Sequence, residues 1–246
     1  MMEAALRAAG LGSWRYQRLP VPPELLAETV AALPAAGFRG ANVTIPHKQA
    51  ALALAQKVSD TAREVGAANT LLFEADGTIV ADNTDAPALL NALPIDAEQT
   101  TALVLGAGGS ARAAVWALRR AGAGEIRVWN RHLDRARSIC EELGCRPVSN
   151  AEPADVLVNC TPVGGDLARG WFKQLPLPAD DLAMFRCVVD FVYGRDETAL
   201  VRAARSFGLP TVDGLDLLAE QGALSFERFT GVPAPLEEMR AAVRRR

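Results

Sequence analysis

Lysine and histidine are scarce in this sequence. Only three of its 26 basic residues are lysines, namely Lys48, Lys57 and Lys173, and it has only two histidines, His47 and His132. Two histidines cannot build a His-rich metal site, and no metal site is predicted. Arginine is the ordinary cation of this chain, so a lysine inside a distinctive motif needs a chemical reason.

Strong charge, long apolar runs and paired cysteine motifs are also missing. A net charge of only -3 argues against a nucleic-acid-binding protein, which would carry a basic face. No apolar run is long enough to span a bilayer, and the first residues lack a signal segment, so we expect a cytoplasmic protein with no membrane partner. The spacing of Cys140, Cys145, Cys160 and Cys187 lacks a CxxC motif, which favours buried free thiols over disulfides or zinc.

The apolar pattern predicts an α/β protein. Half of the 246 residues are hydrophobic, and short β-like runs alternate with helical stretches, which is typical of mostly parallel sheets. The polar, proline-bearing segment "LPIDAEQT" is interpreted as the edge of a second domain. We therefore predict one domain over 1–95, completed by 216–246, and another over 96–215.

Local patterns predict the elements of the first domain. Residues 24–33 have a helical pattern, "GANVTIP" a strand pattern, and 47–56 the pattern of a helix opened by Pro46. The segment "NTLLFEADGTIVADNTD" is typical of a hairpin that turns at Asp76-Gly77, and a helix is expected near 85–93. The opening "MMEAALRAAGLG" predicts an amphipathic helix.

The second half of the sequence predicts repeated strand and helix units. Strands are expected at "TALVL", "EIRVWN", "DVLVNCT" and "CVVDFVY", with helices after the glycine turn, at "LDRARSICEEL", near 197–207, from Leu215 to Phe229 and over "PLEEMRAAVRRR". This order favours a Rossmann-type doubly wound domain.

A glycine-rich turn follows the first strand of that region. Its pattern, G-x-G-x-x-A, comprises Gly106, Gly108, Gly109, Ser110 and Ala111. Between a strand and a helix, such glycines let the backbone approach a pyrophosphate, and the helix N-terminus supplies amide donors. Nucleotide binding is therefore favoured over a plain tight turn.

The end of the next strand bears on the choice of cofactor. It reads Asn130-Arg131, with Arg135 one turn later, where an NAD enzyme would usually place an acidic residue for the ribose hydroxyls. Arginine there suits a 2′-phosphate and favours NADP. The alternative is that these arginines belong to the solvated start of a helix.

The stretch "ANVTIPHKQA", residues 41–50, contains one of the rare lysines. A lysine ammonium can give up a proton, whereas a guanidinium effectively cannot, so Lys48 is a candidate acid/base group. The alternative is a solvated lysine in the first turn of a helix.

Several motifs together resemble the shikimate dehydrogenase family. They are "NVTIPHK", "GAANT", "DNTD", "GAGGSAR", "NCTPVG", "VVDFVY" and "QGALSFERFTG", in that order along nearly the whole chain. The resemblance implies NADPH-dependent reduction of dehydroshikimate to shikimate, a step of aromatic amino-acid biosynthesis. It also implies an α/β substrate-binding domain, the first, and a Rossmann-type NADP-binding domain, the second.

The resemblance also implies residue roles. Lys48 and Asp85 correspond to the catalytic pair of the family. Substrate contacts are implied for Thr44, Asn69, Tyr193 and Gln221, and cofactor contacts for Asn159, Thr161, Pro162 and Gly214.

Some positions depart from the family pattern. His132, Gly165, Gly194-Arg195 and Phe229 replace the usual residues, and the family's first strand and serine turn, which hold the substrate carboxylate, have no counterpart. We expect either a gene start upstream of Met1 or weak shikimate binding, unless Tyr16 or Arg15 holds the carboxylate.

Two alternatives to this function stay open. One is a related enzyme that acts on quinate or on an aminated shikimate analogue. The other is a nucleotide-binding relative with impaired catalysis. The expected small-molecule partner is shikimate or dehydroshikimate, and the expected state is a monomer or a homodimer.

Overall fold

The computed structural model describes residues 1–163, 175, 177–194 and 196–245. The chain divides into two compact units. The first unit comprises Met1–Ala88 and Leu218–Arg246, and the second comprises Leu89–Leu217. Within the described ranges, no helix is both long and apolar enough to cross a bilayer.

The elements alternate along the chain. The first are α1 (Met2–Ala8), a 3-10 turn (Pro23–Leu25), α2 (Leu26–Ala32), β1 (Gly40–Asn42), α3 (Lys48–Ala53), β2 (Lys57–Val58), α4 (Asp60–Val65), β3 (Thr70–Phe73), β4 (Ile79–Asp82) and α5 (Asp85–Ala92). Next come β5 (Thr101–Leu105), α6 (Gly109–Arg120), β6 (Glu125–Trp129), α7 (Leu133–Leu143), β7 (Arg146–Val148), β8 (Val156–Asn159), a 3-10 helix (Ala179–Met184) and β9 (Cys187–Asp190). The last described elements are α8 (Ala199–Ser206), β10 (Thr211–Val212), α9 (Gly214–Thr230) and α10 (Leu236–Arg244).

The sheet of the first unit has the order β1-β3-β4-β2. Strand β3 is antiparallel to both β1 and β4, and only β2 and β4 are parallel. The predicted hairpin is confirmed, with Gly77 at a φ of +87° in its turn. The expectation of mostly parallel pairing is wrong for this sheet, because a tight hairpin can join only antiparallel strands.

The predicted strand "GANVTIP" is shorter than expected. Only Gly40–Asn42 forms β1, and its last residue pairs with Thr70, the first residue of β3. Strand β3 therefore has no residue that could pair with Val43. The following helix starts at Lys48 rather than at His47, which takes the N-cap position. The short elements β2 and α4 were not predicted.

The sheet of the second unit is entirely parallel, with the order β10-β9-β8-β5-β6-β7. If β5 is numbered strand 1 and the later strands follow in chain order, the sheet read from β7 to β10 has the order 3-2-1-4-5-6. This order confirms the Rossmann-type prediction. The order reverses beside β5, and ligands of such sheets bind at the carboxyl ends of the strands near that point. The glycine turn follows β5 directly.

Strand β5 is buried on both faces. Ala102 and Val104 belong to one apolar cluster with α6 and α7, whereas Leu103 and Leu105 belong to a second cluster with Leu157 and α8. This accounts for the continuous apolar run of the strand, since both faces of a parallel sheet are covered.

The amphipathic helix predicted at the start of the chain is α1. Its residues Met2, Ala5 and Leu6 are buried and pack with Phe226 of α9 and Met239 of α10. The helix is thus amphipathic as predicted, and its apolar face is the packed one.

Candidate active site

Lys48 and Asp85 form a nearly buried ion pair in the first unit. The Lys48 Nζ lies 2.7 Å from the Asp85 Oδ2, and the two side chains are only 11% and 9% exposed. Each residue is the first of a helix, α3 and α5 respectively. A carboxylate is favourable at a helix N-terminus, whereas a cation is not. Helix stability therefore explains Asp85 but not Lys48, which argues against a merely solvated lysine.

Backbone hydrogen bonds hold the segments of this site together. The Ala68 N–H donates to the Lys48 carbonyl at 2.8 Å, and the Val43 N–H donates to the Asn69 carbonyl at 2.7 Å. The Asn69 N–H donates to the Asp82 carbonyl at 3.1 Å. The segment before β3 thus joins the loop that leads to Lys48 and the strand that leads to Asp85.

Asn69 and Gln221 lie together beside this pair of segments. Asn69 is 2% exposed, and its Oδ1 accepts a hydrogen bond from the Thr84 N–H at 2.7 Å. Its Nδ2 donates to the Gln221 Oε1 at 3.4 Å. Gln221 is held in turn by a bond from its Nε2 to the Leu218 carbonyl. Two predicted substrate contacts from distant parts of the chain therefore share one polar cluster.

Three buried hydroxyls in this cluster were missed by sequence reasoning. The Thr70 and Ser225 hydroxyl oxygens are 3.0 Å apart, and those of Thr84 and Ser225 are 3.1 Å apart. The Asn42 Nδ2 donates to the Ser225 Oγ at 2.8 Å. The signal in the sequence was the polar residues in "GAANT" and "DNTD", but nothing in it links them to Ser225.

Other predicted substrate residues are placed differently. Thr44 is exposed in the loop before α3, where its carbonyl accepts a hydrogen bond from the His47 N–H. Tyr193 belongs to the second unit and is 47% exposed. The Tyr16 hydroxyl donates to the Asn42 Oδ1 at 3.0 Å, so it borders the polar cluster. The Arg15 guanidinium instead donates to nearby backbone carbonyls.

The glycine turn of the second unit has the geometry expected for close backbone approach. Gly106 has a φ of +112°, and a Cβ there would lie 3.1 Å from the backbone of Cys160. A Cβ at Gly108 would meet no atom within 4 Å, so the space beside it is open. Helix α6 starts at Gly109, and its N-cap residue, Gly108, has no side chain that could cap the helix. Ser110 and Ala111 are buried.

The predicted 2′-phosphate residues lie next to this turn. The Gly106 N–H donates to the Trp129 carbonyl at 2.7 Å, which holds the end of β6 against the turn. The Asn130 Nδ2 donates to the His132 carbonyl at 2.9 Å, and Arg131 and Arg135 are exposed. An open turn at a helix N-terminus, followed by two accessible guanidinium groups, fits a dinucleotide with an extra phosphate.

Asn159 organises the loop that follows β8. Its side chain is fully buried, and its Oδ1 accepts hydrogen bonds from the Thr161 N–H and hydroxyl at 3.1 and 2.7 Å. Its Nδ2 donates to the Asp190 Oδ1 at 2.9 Å. Pro162 is exposed in the same loop. The predicted cofactor contacts therefore lie at the end of β8, for Asn159, and in the loop directly after it, for Thr161 and Pro162, and this loop packs against Gly106 through Cys160.

Asp190 supports this loop and was missed by sequence reasoning. Its carboxylate also accepts hydrogen bonds from the Val192 N–H at 3.0 Å and the Thr198 hydroxyl at 2.6 Å. Burial raises the pKa of the Asp190 carboxyl to about 6, although these three donors oppose the rise. An acidic residue in the otherwise apolar run "CVVDFVY" was the available signal.

Gly214 begins α9, and its position is sterically constrained. A Cβ there would lie 2.4 Å from the Val192 carbonyl oxygen and 3.0 Å from the Tyr193 Cβ. Only glycine allows this close approach. The departures at Gly165 and Arg195 lie outside the described residues.

Comparisons with known proteins agree along the chain. A model described as shikimate dehydrogenase substrate binding domain matches residues 1–71. A model described as shikimate / quinate 5-dehydrogenase matches residues 88–163, and one described as shikimate 5'-dehydrogenase C-terminal domain matches residues 214–244.

Individual relatives give the same result. A shikimate dehydrogenase (NADP(+)) of Paracoccus denitrificans is 41% identical over 93% of this chain and 84% of that protein. One from an Anaeromyxobacter species is 43% identical over 99% of this chain and 89% of that protein.

Solved structures are also similar. The shikimate 5-dehydrogenase of Thermus thermophilus, solved in complex with NADP(H) and shikimate, has a TM-score of 0.85 at 40% identity, and the match covers 99% of this chain and 92% of that one. A 5-ketofructose reductase of a Gluconobacter species has a TM-score of 0.84 at 27% identity, and the match covers 99% of this chain and 91% of that one.

Proposed function

This chain belongs to the shikimate dehydrogenase family, and on that premise we propose that it reduces dehydroshikimate to shikimate with NADPH. The observation that carries the proposal is the nearly buried ion pair of Lys48 and Asp85, with 2.7 Å between Nζ and Oδ2. We propose these two residues as the catalytic pair.

The chemistry of the pair follows from its charges. NADPH, when bound, supplies a hydride to the ketone carbon, and negative charge then develops on the ketone oxygen. The Lys48 ammonium can donate a hydrogen bond to that oxygen, stabilise the charge and then give up a proton to form the hydroxyl. The Asp85 carboxylate orients the ammonium. Low exposure strengthens each of these interactions, because little water screens them.

The polar cluster beside the pair suits a polyhydroxylated ring. Each ring hydroxyl loses water on binding and needs a hydrogen-bond partner in exchange. The Asn69 and Gln221 amides both donate and accept hydrogen bonds, and we propose them, with Thr44 and Tyr193, as substrate contacts. Tyr16 is a further candidate because its hydroxyl borders the same cluster through Asn42.

The second unit offers the groups that NADP requires. We propose that the turn at Gly106, Gly108, Gly109, Ser110 and Ala111 binds the pyrophosphate through backbone amides. Arg131 and Arg135, with Asn130, would bind the 2′-phosphate. Asn159, Thr161, Pro162 and Gly214 would shape the nicotinamide side.

The proposal also includes the division of roles and the state of the protein. Residues 1–95 with 216–246 would carry the substrate, and residues 96–215 the cofactor. The chain would act as a monomer or a homodimer in the cytoplasm. Its partners would be shikimate, dehydroshikimate and NADP.

The test of the proposed substrate is a comparison of kcat/KM values. Shikimate, quinate and an aminated shikimate analogue would each be oxidised with NADP⁺, and dehydroshikimate and 5-ketofructose reduced with NADPH. We expect the shikimate and dehydroshikimate pair to give the highest values. A higher value for quinate or the aminated analogue would establish the alternative enzyme.

The comparison with the 5-ketofructose reductase makes a different substrate a serious alternative. The 5-ketofructose reductase of the Gluconobacter species has nearly the same TM-score as the shikimate enzyme of Thermus thermophilus. The fold therefore does not select the substrate. Sequence identity does favour shikimate, at 40% against 27%. Absence of turnover on all five compounds would favour the impaired nucleotide-binding relative.

A further inference from the structure

Two thiols meet at the end of α7 in the second unit. The Sγ atoms of Cys140 and Cys145 lie 2.7 Å apart. All four cysteines of the chain are free. Cys140 is buried and Cys145 is half-buried, so Cys145 is the more exposed residue of the pair.

The local backbone explains why these thiols meet. Gly144 ends α7 with a φ of +67°, and its N–H donates to the Cys140 carbonyl at 2.8 Å. The Cys145 N–H donates to the same carbonyl at 3.2 Å. The second of these bonds is the six-residue closure of a Schellman motif, which brings the side chains of its first and last residues into contact. Apolar residues usually occupy those positions, but here both are cysteines.

The surroundings shift the pKa values of the two thiols in opposite directions. The pKa of the Cys145 thiol is lowered by its hydrogen bond with Cys140 and, to a smaller extent, by the cationic Arg119 and Arg112. The pKa of the Cys140 thiol is raised by the same hydrogen bond and by burial. The thiolate is the reactive form of cysteine, and the more exposed residue of the pair is also the one whose thiol loses its proton more readily.

We propose that Cys140 and Cys145 form an oxidation site at which a peroxide converts the two thiols into an intramolecular disulfide. This modification is independent of the proposed reduction of dehydroshikimate. The carrying observation is the contact that the helix-terminating motif imposes. A disulfide bond of about 2.05 Å requires only a small further approach of the two sulfurs.

The reaction proceeds in two balanced steps. The Cys145 thiolate attacks one oxygen of hydrogen peroxide, so that a sulfur–oxygen bond forms, the oxygen–oxygen bond breaks and hydroxide leaves, to be protonated to water. The Cys140 thiol then attacks the resulting sulfenic acid at sulfur, and a second water leaves as the disulfide forms. Two thiols lose two electrons in total, and one peroxide is reduced to two waters.

The other cysteines provide an internal comparison. Cys187 is fully buried in β9, and burial raises the pKa of its thiol to about 12. Cys160 is 9% exposed in the loop after β8. We therefore expect a mild dose of peroxide to consume two of the four thiols.

The first experiment uses the full chain without substitutions. The protein is treated with hydrogen peroxide and denatured, and its free thiols are counted. We expect the count to fall from four to two. Cleavage after the glutamates that separate the two cysteines, Glu141 and Glu142, should leave two fragments joined until a reductant is added. A count that stays at four, or a disulfide that involves Cys160 or Cys187, would overturn the proposal.

Variants then test the order of the steps. C140S should leave the Cys145 sulfenic acid without a resolving thiol, so that a cyclic 1,3-dione reagent labels it. C145S should give neither label nor disulfide, whereas the control C187A should still form the disulfide. Labelling of Cys140 in C145S at the rate found for C140S would refute the assigned roles. Turnover of shikimate is not the readout, so failure of the proposed function would leave this result unaffected.

Discussion

The proton on the Lys48 ammonium is the feature on which the proposed reduction depends. We expect Lys48→Ala to leave NADPH binding unchanged and to lower kcat by roughly 10²- to 10⁴-fold, the contribution of a positioned acid/base group. Lys48→Arg should lower kcat nearly as much, because the charge is kept but the proton is not transferable. Steady-state turnover and NADPH titration measure both effects.

The matched control for this substitution is Lys57→Ala. Lys57 is exposed and pairs with Glu74 on the surface, so kcat should change little. Near-normal turnover in Lys48→Arg would show that Lys48 contributes charge alone.

Arg131 tests the cofactor preference. Arg131→Gln should weaken NADPH binding by about 10- to 100-fold, the effect of losing a hydrogen bond between charged groups, and should leave NADH binding nearly unchanged. Direct titration of both cofactors measures this. Arg137→Gln is the control, because Arg137 lies on α7 and pairs with Asp134. Equal losses for NADPH and NADH would show that Arg131 does not contact the 2′-phosphate.

Asp190 makes the stability of the second unit depend on pH. The folded-state pKa of its carboxyl is raised from 3.8 to about 6 by burial. Between about pH 4 and 6 the folded chain therefore holds a proton that the unfolded chain has lost. Stability from this group is fully present below about pH 4 and is lost as the pH rises through about 6.

Asp190→Asn should remove this dependence. We expect the free energy of unfolding of the wild type, relative to the variant, to decline as the pH rises from 4 to 6. Urea unfolding at several pH values measures it, with Asp180→Asn, at an exposed position, as the control. Parallel pH curves for wild type and Asp190→Asn would contradict the assignment.

At the scale of an element, Thr198 links the start of α8 to Asp190, which supports the loop after β8. Its hydroxyl oxygen accepts a hydrogen bond from the Val201 N–H at 3.2 Å as the N-cap of α8, and the hydroxyl donates to Asp190. Thr198→Ala should lower the free energy of unfolding by about 2 to 4 kcal/mol, from loss of a cap and of a hydrogen bond to a carboxylate. Thr198→Ser keeps the hydroxyl and should cost less than about 1 kcal/mol. Equal losses in both variants, measured by urea unfolding, would show that the methyl group is what matters.

At the scale of the whole molecule, the two units should respond to different ligands. We expect NADP⁺ alone to slow amide hydrogen exchange in residues 106–111 and 159–163, and shikimate alone to slow it in residues 68–70 and 83–86. Bound ligands stabilise the segments that hold them, by about 2.7 kcal/mol at a hundred times Kd. Protection of residues 68–70 by NADP⁺, without protection of the glycine turn, would contradict the proposed division of roles.

Sequence patterns alone were enough to predict most of the longer elements and the glycine turn. Backbone preferences of adjacent residues determine the hairpin at Asp76-Gly77, the helix over 133–143 and the glycine turn at 106–111. Such preferences can be recognised in a short stretch of sequence. The family also followed from the sequence, since its motifs occur in order. The Cys140–Cys145 contact was equally local, in "CEELGC", but a search for CxxC spacing does not detect a helix-terminating motif.

The grouping of side chains into one site depends on long-range packing and could not be predicted from local patterns. Lys48 and Asp85 are 37 residues apart, and Asn69 and Gln221 are 152 apart, so no local preference joins either pair. The extent of β1 and the mixed pairing of the first sheet were also tertiary outcomes, because a strand ends where its partner ends. The burial of Asp190, which raises the pKa of its carboxyl, depends on β8, β9 and α8 closing around it, and burial is a property of the assembled fold.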